Sequence, residues 1–348
     1  MGRSTTATTT STVTYAGIDY HKKFSWVCLG DADGNIVAEK KLYHDDTAAV
    51  KEYFKPYRGI VCTVESCRAY EWFVDLLKDC GLEVRICNPR LAKLIVQSRC
   101  KTDKLDGKKL MELLAKGYLP TCYQASPEEK RLREWLRWRA SIVRSASRVK
   151  IQIHSLLDKE RKGLGPDTFA SKMRPVLQEI ELSPARRQLL DKQLELLSYF
   201  ETKVKAEDAW VKAEAKQNGS VQLLKTIPGI GDLSALLYIA EVGNPHRFRK
   251  AGQVSSFLGL VPSESSSAEK RHLGAITKQG SPLLRWLLVQ DAWQAIRTSA
   301  EFRRRFTSIR RRQGKHVAIV AIARILAEVA FHVLVEQQPY EEAKLQQR

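Results

Sequence analysis

Short β-like runs alternate with helical runs in the first third of the chain, as its apolar and polar positions indicate. Strand-like patterning covers residues 12–20, 25–31 and 35–43, and Asp33-Gly34-Asn35 joins the last two as a hairpin turn. Further strands are predicted at 59–65 and 82–88, and helices at 46–55, 70–80, 89–97 and 103–116. Three antiparallel strands followed by alternating helices and strands is the order of an α/β ribonuclease H-like fold.

Two long helical patterns occupy the middle of the chain. The first covers residues 127–162 and ends at Gly163, and the second runs from about Ser183 to Gln217. Their apolar positions suit helix-on-helix pairing. Two interpretations stay open: a helical hairpin that packs on itself, or a coiled-coil dimerisation arm. Trp135 and Trp138, in the first pattern, are interpreted as core residues.

The rest of the chain is predicted to be mainly α, with one Gly- and Ser-rich interruption at 259–281. These patterns predict five segments. They are a disordered lead-in (1–12), an α/β domain (13–122), the long helices (123–218), a helical C-terminal domain (219–336) and a polar tail (337–348).

The balance of charge narrows the class of partner. Lys and Arg number 58 against 39 Asp and Glu, a formal net charge of +19, which favours a polyanion such as nucleic acid. No stretch approaches the ~18 consecutive apolar residues of a membrane-spanning helix, so a membrane partner is not expected. Seven cysteines without a CxxC pair, and a Thr-rich start unlike a signal peptide, favour a reducing, cytoplasmic location.

Four carboxylates stand out by position in the α/β region. Asp19 and Glu65 end the first and fourth predicted strands, which are neighbours in a ribonuclease H order, and Asp103 and Asp106 share one helix face. Four acids in one place repel one another unless a cation neutralises them, and oxygen ligands favour Mg²⁺ or Mn²⁺. Taken singly, each acid has a plainer explanation, such as a turn former or a helix N-cap.

A family resemblance joins these residues. Gly17-Ile18-Asp19, Val64-Glu65-Ser66 and Lys101-Thr102-Asp103 with Asp106 resemble the DEDD transposases of insertion sequences. Their N-terminal domain is similar to the Holliday-junction resolvase RuvC, and pilin-gene invertases belong to the same group. The resemblance implies that Asp19, Glu65, Asp103 and Asp106 form a catalytic tetrad that binds Mg²⁺ or Mn²⁺.

The C-terminal region carries two further motifs of that family. Ile227-Pro228-Gly229-Ile230-Gly231 resembles a helix-hairpin-helix turn, in which Gly229 and Gly231 let the backbone approach a phosphate. A Pro-Gly turn that serves packing alone is the alternative. The segment from Pro262 to Gly280 resembles the family's serine motif. Ser267 aligns with the nucleophilic serine and Ser266 is the alternative, although Ala268 stands where members usually have glycine.

Basic residues near these motifs are candidate phosphate contacts. They are Lys101, Lys270, Arg271, Lys278, Arg303, Arg304, Arg310 and Arg311. Arg303–Arg305 and Arg310–Arg312 form two arginine triplets that would repel each other without an anion nearby.

The resemblance implies a transposase or site-specific recombinase that cleaves and rejoins DNA through a serine nucleophile assisted by carboxylate-bound Mg²⁺. It also implies donor and target DNA, a structured non-coding (bridge) RNA as guide, and a homodimer or homotetramer. Two alternatives stay open: a RuvC-like junction nuclease that activates water, and a non-catalytic nucleic-acid-binding scaffold.

Overall fold

The computed structural model describes residues 12–67, 69–95, 103–265 and 273–343, and only the backbone at 103–105. The chain divides into two compact units, Met1–Gln124 and Ala125–Arg348.

A five-stranded sheet forms the centre of the first unit. Its strands are β1 (Tyr15–Tyr20), β2 (Phe24–Gly30), β3 (Ile36–Tyr43), β4 (Val61–Glu65) and β5 (Glu83–Cys87). Their order is β3-β2-β1-β4-β5. β1 pairs antiparallel with β2 and parallel with β4. The sequence predicted β1 and β4 as neighbours, and the order is consistent with a ribonuclease H-like fold.

Helices connect and cover this sheet. They are α1 (Thr47–Phe54), α2 (Glu71–Asp79), α3 (Pro89–Ile95) and α4 (Asp103–Ala115). Ile18, Val64 and Phe73 belong to the apolar core on one side of the sheet. α4 packs against β1 on the opposite side, where Gly17 meets Gly107 and Met111.

Two long helices begin the second unit, α5 (Pro127–Lys159) and α7 (Pro184–Gln217), with the short α6 (Arg174–Glu179) between them. Ser126 caps α5: its side chain accepts from the Glu129 N–H, and the Glu129 carboxylate accepts from the Ser126 N–H. α5 packs on α7, and Leu190 and Leu197 of α7 are buried in their shared core. The packed helical hairpin is therefore present, while the dimerisation arm stays a prediction.

The interpretation of Trp135 and Trp138 as core residues is wrong. Trp135 is partly exposed and stacks on Trp210 at 5.3 Å between ring centroids. Trp138 is 54% exposed, and its indole N–H donates to Glu207 over 3.3 Å. Both contact α7, through Trp210 and Glu207, at an edge of the α5–α7 pair that is open to solvent.

The C-terminal part is mostly helical. Its helices are α8 (Gly219–Leu224), α9 (Asp232–Val242), α10 (Ala251–Phe257), α11 (Pro282–Thr298), α12 (Ala300–Gln313) and α13 (Lys315–Glu336). The Gly- and Ser-rich interruption also contains a two-stranded antiparallel sheet of β6 (Pro262–Glu264) and β7 (Leu273–Ile276). The predicted mixed α/β domain followed by a mainly helical part is confirmed.

α13 corrects the sequence argument about membranes. This helix is long and apolar enough to cross a membrane, although it contains two charged residues, Arg324 and Glu328. Most of its apolar window is buried, however, and α10, α11 and α12 pack around it. It therefore has the surroundings of a core helix.

The described start of the predicted polar tail is packed against the helices. Tyr340 stacks on Phe302, and its backbone N–H donates to the Thr226 hydroxyl over 2.8 Å. The Glu342 carboxylate accepts from the Ser299 hydroxyl and from the Glu301 N–H at the start of α12. Residues 339–343 thus hold the start of α12 beside the turn that follows α8.

Candidate active site

Asp19 and Glu65 lie on neighbouring parallel strands at the same level. Ile18 is in register with Val64, so the next residues along β1 and β4 are Asp19 and Glu65. Side chains alternate along a strand, so both acids project to the side of the sheet that Gly17 and Thr63 share. That is the side α4 covers.

α4 brings Asp106 to the same end of the sheet. Near the beginning of α4, the carbonyl oxygen of Gly107 would lie 2.1 Å from a Cβ on Gly17 of β1. At the end of α4, Ala115 contacts Gly34, which lies in the β2–β3 turn next to the start of β1. The helix therefore runs antiparallel to β1, with its first turns over the carboxyl ends of β1 and β4. Asp106 comes directly before Gly107, and the backbone of Asp103 begins the helix.

Basic neighbours partly neutralise these acids. Asp19 is 13% exposed and receives a 3.1 Å contact from His21, while Lys109 lies 3.6 Å from Asp106. The thiol of Cys67 lies close to both strand acids. Its pKa is raised to about 11, mainly by burial and then by the negative charges of Glu65 and Asp19. The negative charges of both carboxylates therefore act at the same point.

The donor set fits a hard divalent cation. Asp19, Glu65 and Asp106 offer only carboxylate oxygens, which Mg²⁺ and Mn²⁺ prefer. Among the described side chains, which exclude that of Asp103, no three acids, histidines or cysteines are grouped closely enough to hold a metal. The described acids therefore supply the right chemistry and converge on one end of the sheet without forming a closed cage.

A network that the sequence did not indicate fixes the loop after Glu65. The Tyr20 hydroxyl donates to the Ala69 carbonyl and accepts from the Trp72 indole N–H, each over 2.9 Å. His44 stacks on the Tyr20 ring and contacts the Ser25 hydroxyl at 2.8 Å. Only the position of Tyr20 beside Asp19 could have pointed to it.

In the second unit, the Pro-Gly turn lies between α8 and α9. Gly229 has a φ of 91°, and a Cβ there would lie 2.3 Å from the carbonyl oxygen of Asp291 on α11. Packing therefore accounts for this glycine. Gly231 differs, because a Cβ there would meet nothing within 4 Å, and it directly precedes the first turn of α9. Of the two glycines, Gly231 is the one whose surroundings are open to a ligand.

In sequence, the predicted serine motif includes β6 and β7. Ser266, Ser267, Lys270 and Arg271 are outside the described residues, as is Lys101 in the first unit. The base of the hairpin is tightly held: Lys278 has a φ of 54° and its N–H donates to the Gly259 carbonyl. Arg285, which the sequence did not single out, donates to the carbonyls of Leu258 and Gln279. This arginine anchors both chain segments that enter and leave the hairpin.

Both arginine triplets lie on α12, and they differ in their contacts. Arg304 and Arg305 pair with the buried carboxylate of Glu301, whose pKa these arginines lower, Arg305 first. Arg303 donates to the carbonyls of Ile296 and Arg297 at the end of α11.

The second triplet is exposed to solvent. Arg310, Arg311 and Arg312 make no ion pair with a carboxylate in the described part of the chain. Glu301 thus neutralises part of the charge of the first triplet, whereas the positive charge of the second triplet is available to bind an anion.

Comparisons with known proteins bear on both units. A transposase model of the DEDD type matches residues 16–161, which include all four candidate acids, and the model described as "Transposase IS116/IS110/IS902 family" matches residues 221–307. Together the two matches cover about two thirds of the chain.

Full-length relatives agree with these matches. The chain is 26% identical to the transposase for insertion sequence element IS1111A of Coxiella burnetii, over 93% of this chain and 90% of the relative. It is 24% identical to a "Probable family 20 transposase" of Pseudomonas aeruginosa, over 93% and 97% of the two chains.

Proposed function

The chain belongs to the IS116/IS110/IS902 family of DEDD transposases, and from this premise we propose that Asp19, Glu65, Asp103 and Asp106 are its catalytic metal-binding acids. The main support is the convergence of Asp19, Glu65 and Asp106 at the carboxyl ends of β1 and β4. Three acids far apart in sequence lie near that end, on one side of the sheet.

In this proposal the four carboxylates hold Mg²⁺ or Mn²⁺. When bound, the cation supplies positive charge that stabilises the attacking and leaving oxygens of a phosphoryl transfer. Lys109 offsets part of the negative charge of Asp106 in the absence of the cation, and His21 contacts Asp19. The Tyr20 network keeps the chain after Glu65 in place, so that this acid is held in a fixed position for the cation.

We further propose Ser267, or Ser266 if the register differs, as the nucleophile. The serine Oγ forms a bond to a DNA phosphorus while the bond from phosphorus to the departing strand oxygen breaks. The Oγ proton leaves to a base and the departing oxygen gains a proton, so that charge balances. Attack by the hydroxyl of the exchanged strand then reverses the step without an external energy source.

Contacts with the sugar-phosphate backbone are assigned to two groups of residues. Lys101, Lys270, Arg271 and Lys278 neighbour the two proposed chemical sites in sequence. Gly231, at the open start of α9, and the arginines of α12 contact phosphates further along the DNA. Gly229 has the weakest case for a phosphate contact, since packing already explains it.

Cleavage of labelled element-end DNA tests the acids. Asp106→Asn keeps the size of the side chain and removes its charge, so metal-dependent cleavage should fall by more than about 100-fold. Asp75→Asn is the matched control, because Asp75 is an exposed acid on α2 of the same unit. Full cleavage by Asp106→Asn, or an equal loss with Asp75→Asn, would disprove the assignment.

The same reaction, stopped with denaturant, tests the serine. The wild-type chain should leave a strand linked to protein, and Ser267→Ala should abolish that species, with Ser265→Ala as the neighbouring control. If Ser266→Ala abolishes it instead, the register is shifted by one residue. Free cleaved strands without any protein-linked DNA would favour the hydrolytic junction nuclease.

A structured non-coding RNA and a homodimer or homotetramer complete the proposal. The family resemblance supports the RNA, and the charge of +19 suits a polyanion of either kind. RNA that co-purifies with the chain from a host carrying the element, and resists washing at moderate salt, is the expected observation. Sedimentation of the nucleic-acid complex would give the number of chains.

A further inference from the structure

One face of α11 presents aromatic and amide side chains to solvent. Trp286, Gln290, Trp293 and Arg297 follow one another at steps of four, three and four residues, so they form a single stripe along the helix. Trp286 is 57% exposed. The opposite face, with Leu284, Leu287, Leu288 and Ala295, is buried in the C-terminal core. Trp286, Gln290 and Arg297 are therefore exposed on the stripe, while Trp293 is partly buried where the stripe meets the core.

The charges around the stripe have one sign at the surface. Residues 281–317 contain two acids, Asp291 and Glu301, and both are buried. The same segment contains nine Lys and Arg, of which Arg297, Arg304 and the triplet Arg310–Arg312 are exposed. An anion that approaches α11 and α12 thus meets positive charge without an exposed carboxylate from this segment.

Contacts with the other helices join the stripe to these cations. The Trp293 ring packs against Phe306 of α12 at 5.7 Å between centroids, and the Lys315 ammonium lies 5.1 Å above the same ring. Lys315 begins α13 two residues after α12 ends, close in sequence to the triplet Arg310–Arg312. The structure thus places one cation, Lys315, directly over the partly buried ring at the middle of the stripe.

We propose that this stripe binds a single DNA strand with unpaired bases, and that Trp286 is a stacking platform for one of them. A Trp ring can stack on a base only when the base is unpaired, since in a duplex its two faces are already covered. Gln290 can donate to and accept from a base edge, while Arg297 and the arginines of α12 can meet the phosphates. The proposal rests on the proposed function.

DNA is favoured as the occupant because of where α11 begins. The helix starts at Pro282, soon after β7, and the proposed nucleophile lies between β6 and β7 in sequence; Arg285 ties the base of that hairpin to the helix. Strand exchange separates a cut strand from its former partner, and any bases that this leaves unpaired next to β7 in the complex lie close to the start of α11.

Binding without cleavage tests the stripe. The full chain is titrated in EDTA with a fluorescein-labelled single strand of about 16 nucleotides, the same sequence as a duplex, and its RNA counterpart. Trp286→Ala should weaken binding of the DNA single strand about 10-fold, as loss of one base–aromatic stack predicts. Duplex affinity should stay unchanged, and Trp286→Phe should retain most of the affinity.

Trp138→Ala is the matched control. Trp138 has nearly the same exposure, but its ring nitrogen contacts Glu207, which disfavours an anionic partner. The proposal is overturned if Trp286→Ala binds the single strand as well as wild type does, or if it loses as much affinity for the duplex. It is also overturned if Trp138→Ala shows an equal loss, or if the loss is confined to RNA. The binding assay contains no metal, so its result does not depend on the role of Asp106. Likewise, the cleavage result for Asp106→Asn does not depend on whether Trp286 stacks on a base.

Discussion

At the scale of single residues, Asp291 shows how a buried group gives the second unit a pH dependence. Its side chain is 7% exposed between α9 and α11, where one carboxylate oxygen accepts from the Ser234 hydroxyl over 2.8 Å. The other oxygen has no hydrogen-bond partner among the described residues. Burial is the main reason why the pKa of Asp291 is raised, to about 7.

The sign of the effect follows from proton binding. The folded chain holds this proton up to about pH 7, whereas in the unfolded chain the carboxyl has its ordinary pKa of 3.8 and releases the proton there. The free energy of unfolding therefore falls as the pH rises through this window, and above it the cost of the buried charge is constant.

Asp291→Asn removes that cost and keeps an oxygen that can accept from Ser234. We expect thermal unfolding of the variant to occur several degrees above wild type at pH 8, with the difference shrinking towards pH 5. The measurement is a melting curve at each pH. A variant that melts lower by the same amount at both pH values would show that the carboxyl group is a structural partner and does not titrate in this range.

At the scale of elements, the candidate site depends on how closely α4 approaches β1. A Cβ on Gly17 would lie 2.1 Å from the Gly107 carbonyl oxygen and 2.4 Å from the Met111 backbone nitrogen, so Gly17→Ala must move the whole helix. We expect a loss of about 1–3 kcal/mol in the free energy of unfolding, as overpacking typically costs.

The displaced helix should also take Asp106 away from Asp19, so metal-dependent cleavage should fall more than the folded fraction does. Gly252→Ala on α10 is the control, because a Cβ there meets nothing within 4 Å and alanine favours a helix. A Gly17→Ala chain that is fully active and as stable as wild type would mean that α4 is not held as described.

Elements also set the limit of what the sequence could predict. The strands of the first unit are predictable because alternation and the Asp33-Gly34 turn are local signals, and the four acids follow from strand ends and helix spacing. β6 and β7 were missed because strands of three and four mostly exposed residues have no clear apolar period. The reasons for Gly229 and Arg285 depend on contacts with residues 62 and 27 positions away, which no local pattern records.

At the scale of the whole molecule, the net charge of +19 attracts DNA in general, whereas only some of the basic residues are expected to contact it. The salt dependence of DNA binding distinguishes these two effects. Replacing Arg310, Arg311 and Arg312 with Gln should reduce the slope of log K against log salt for duplex DNA by about 2 to 3, since each released phosphate contact contributes about 0.9. The control removes the same charge at Lys192, Lys203 and Lys205, which are exposed on α7. If net charge alone drives binding, both triple variants should lower the slope equally. A slope that falls only in the arginine variant is the expected result, because on α12 the one carboxylate, Glu301, already pairs with Arg304 and Arg305 and leaves these three arginines to the DNA.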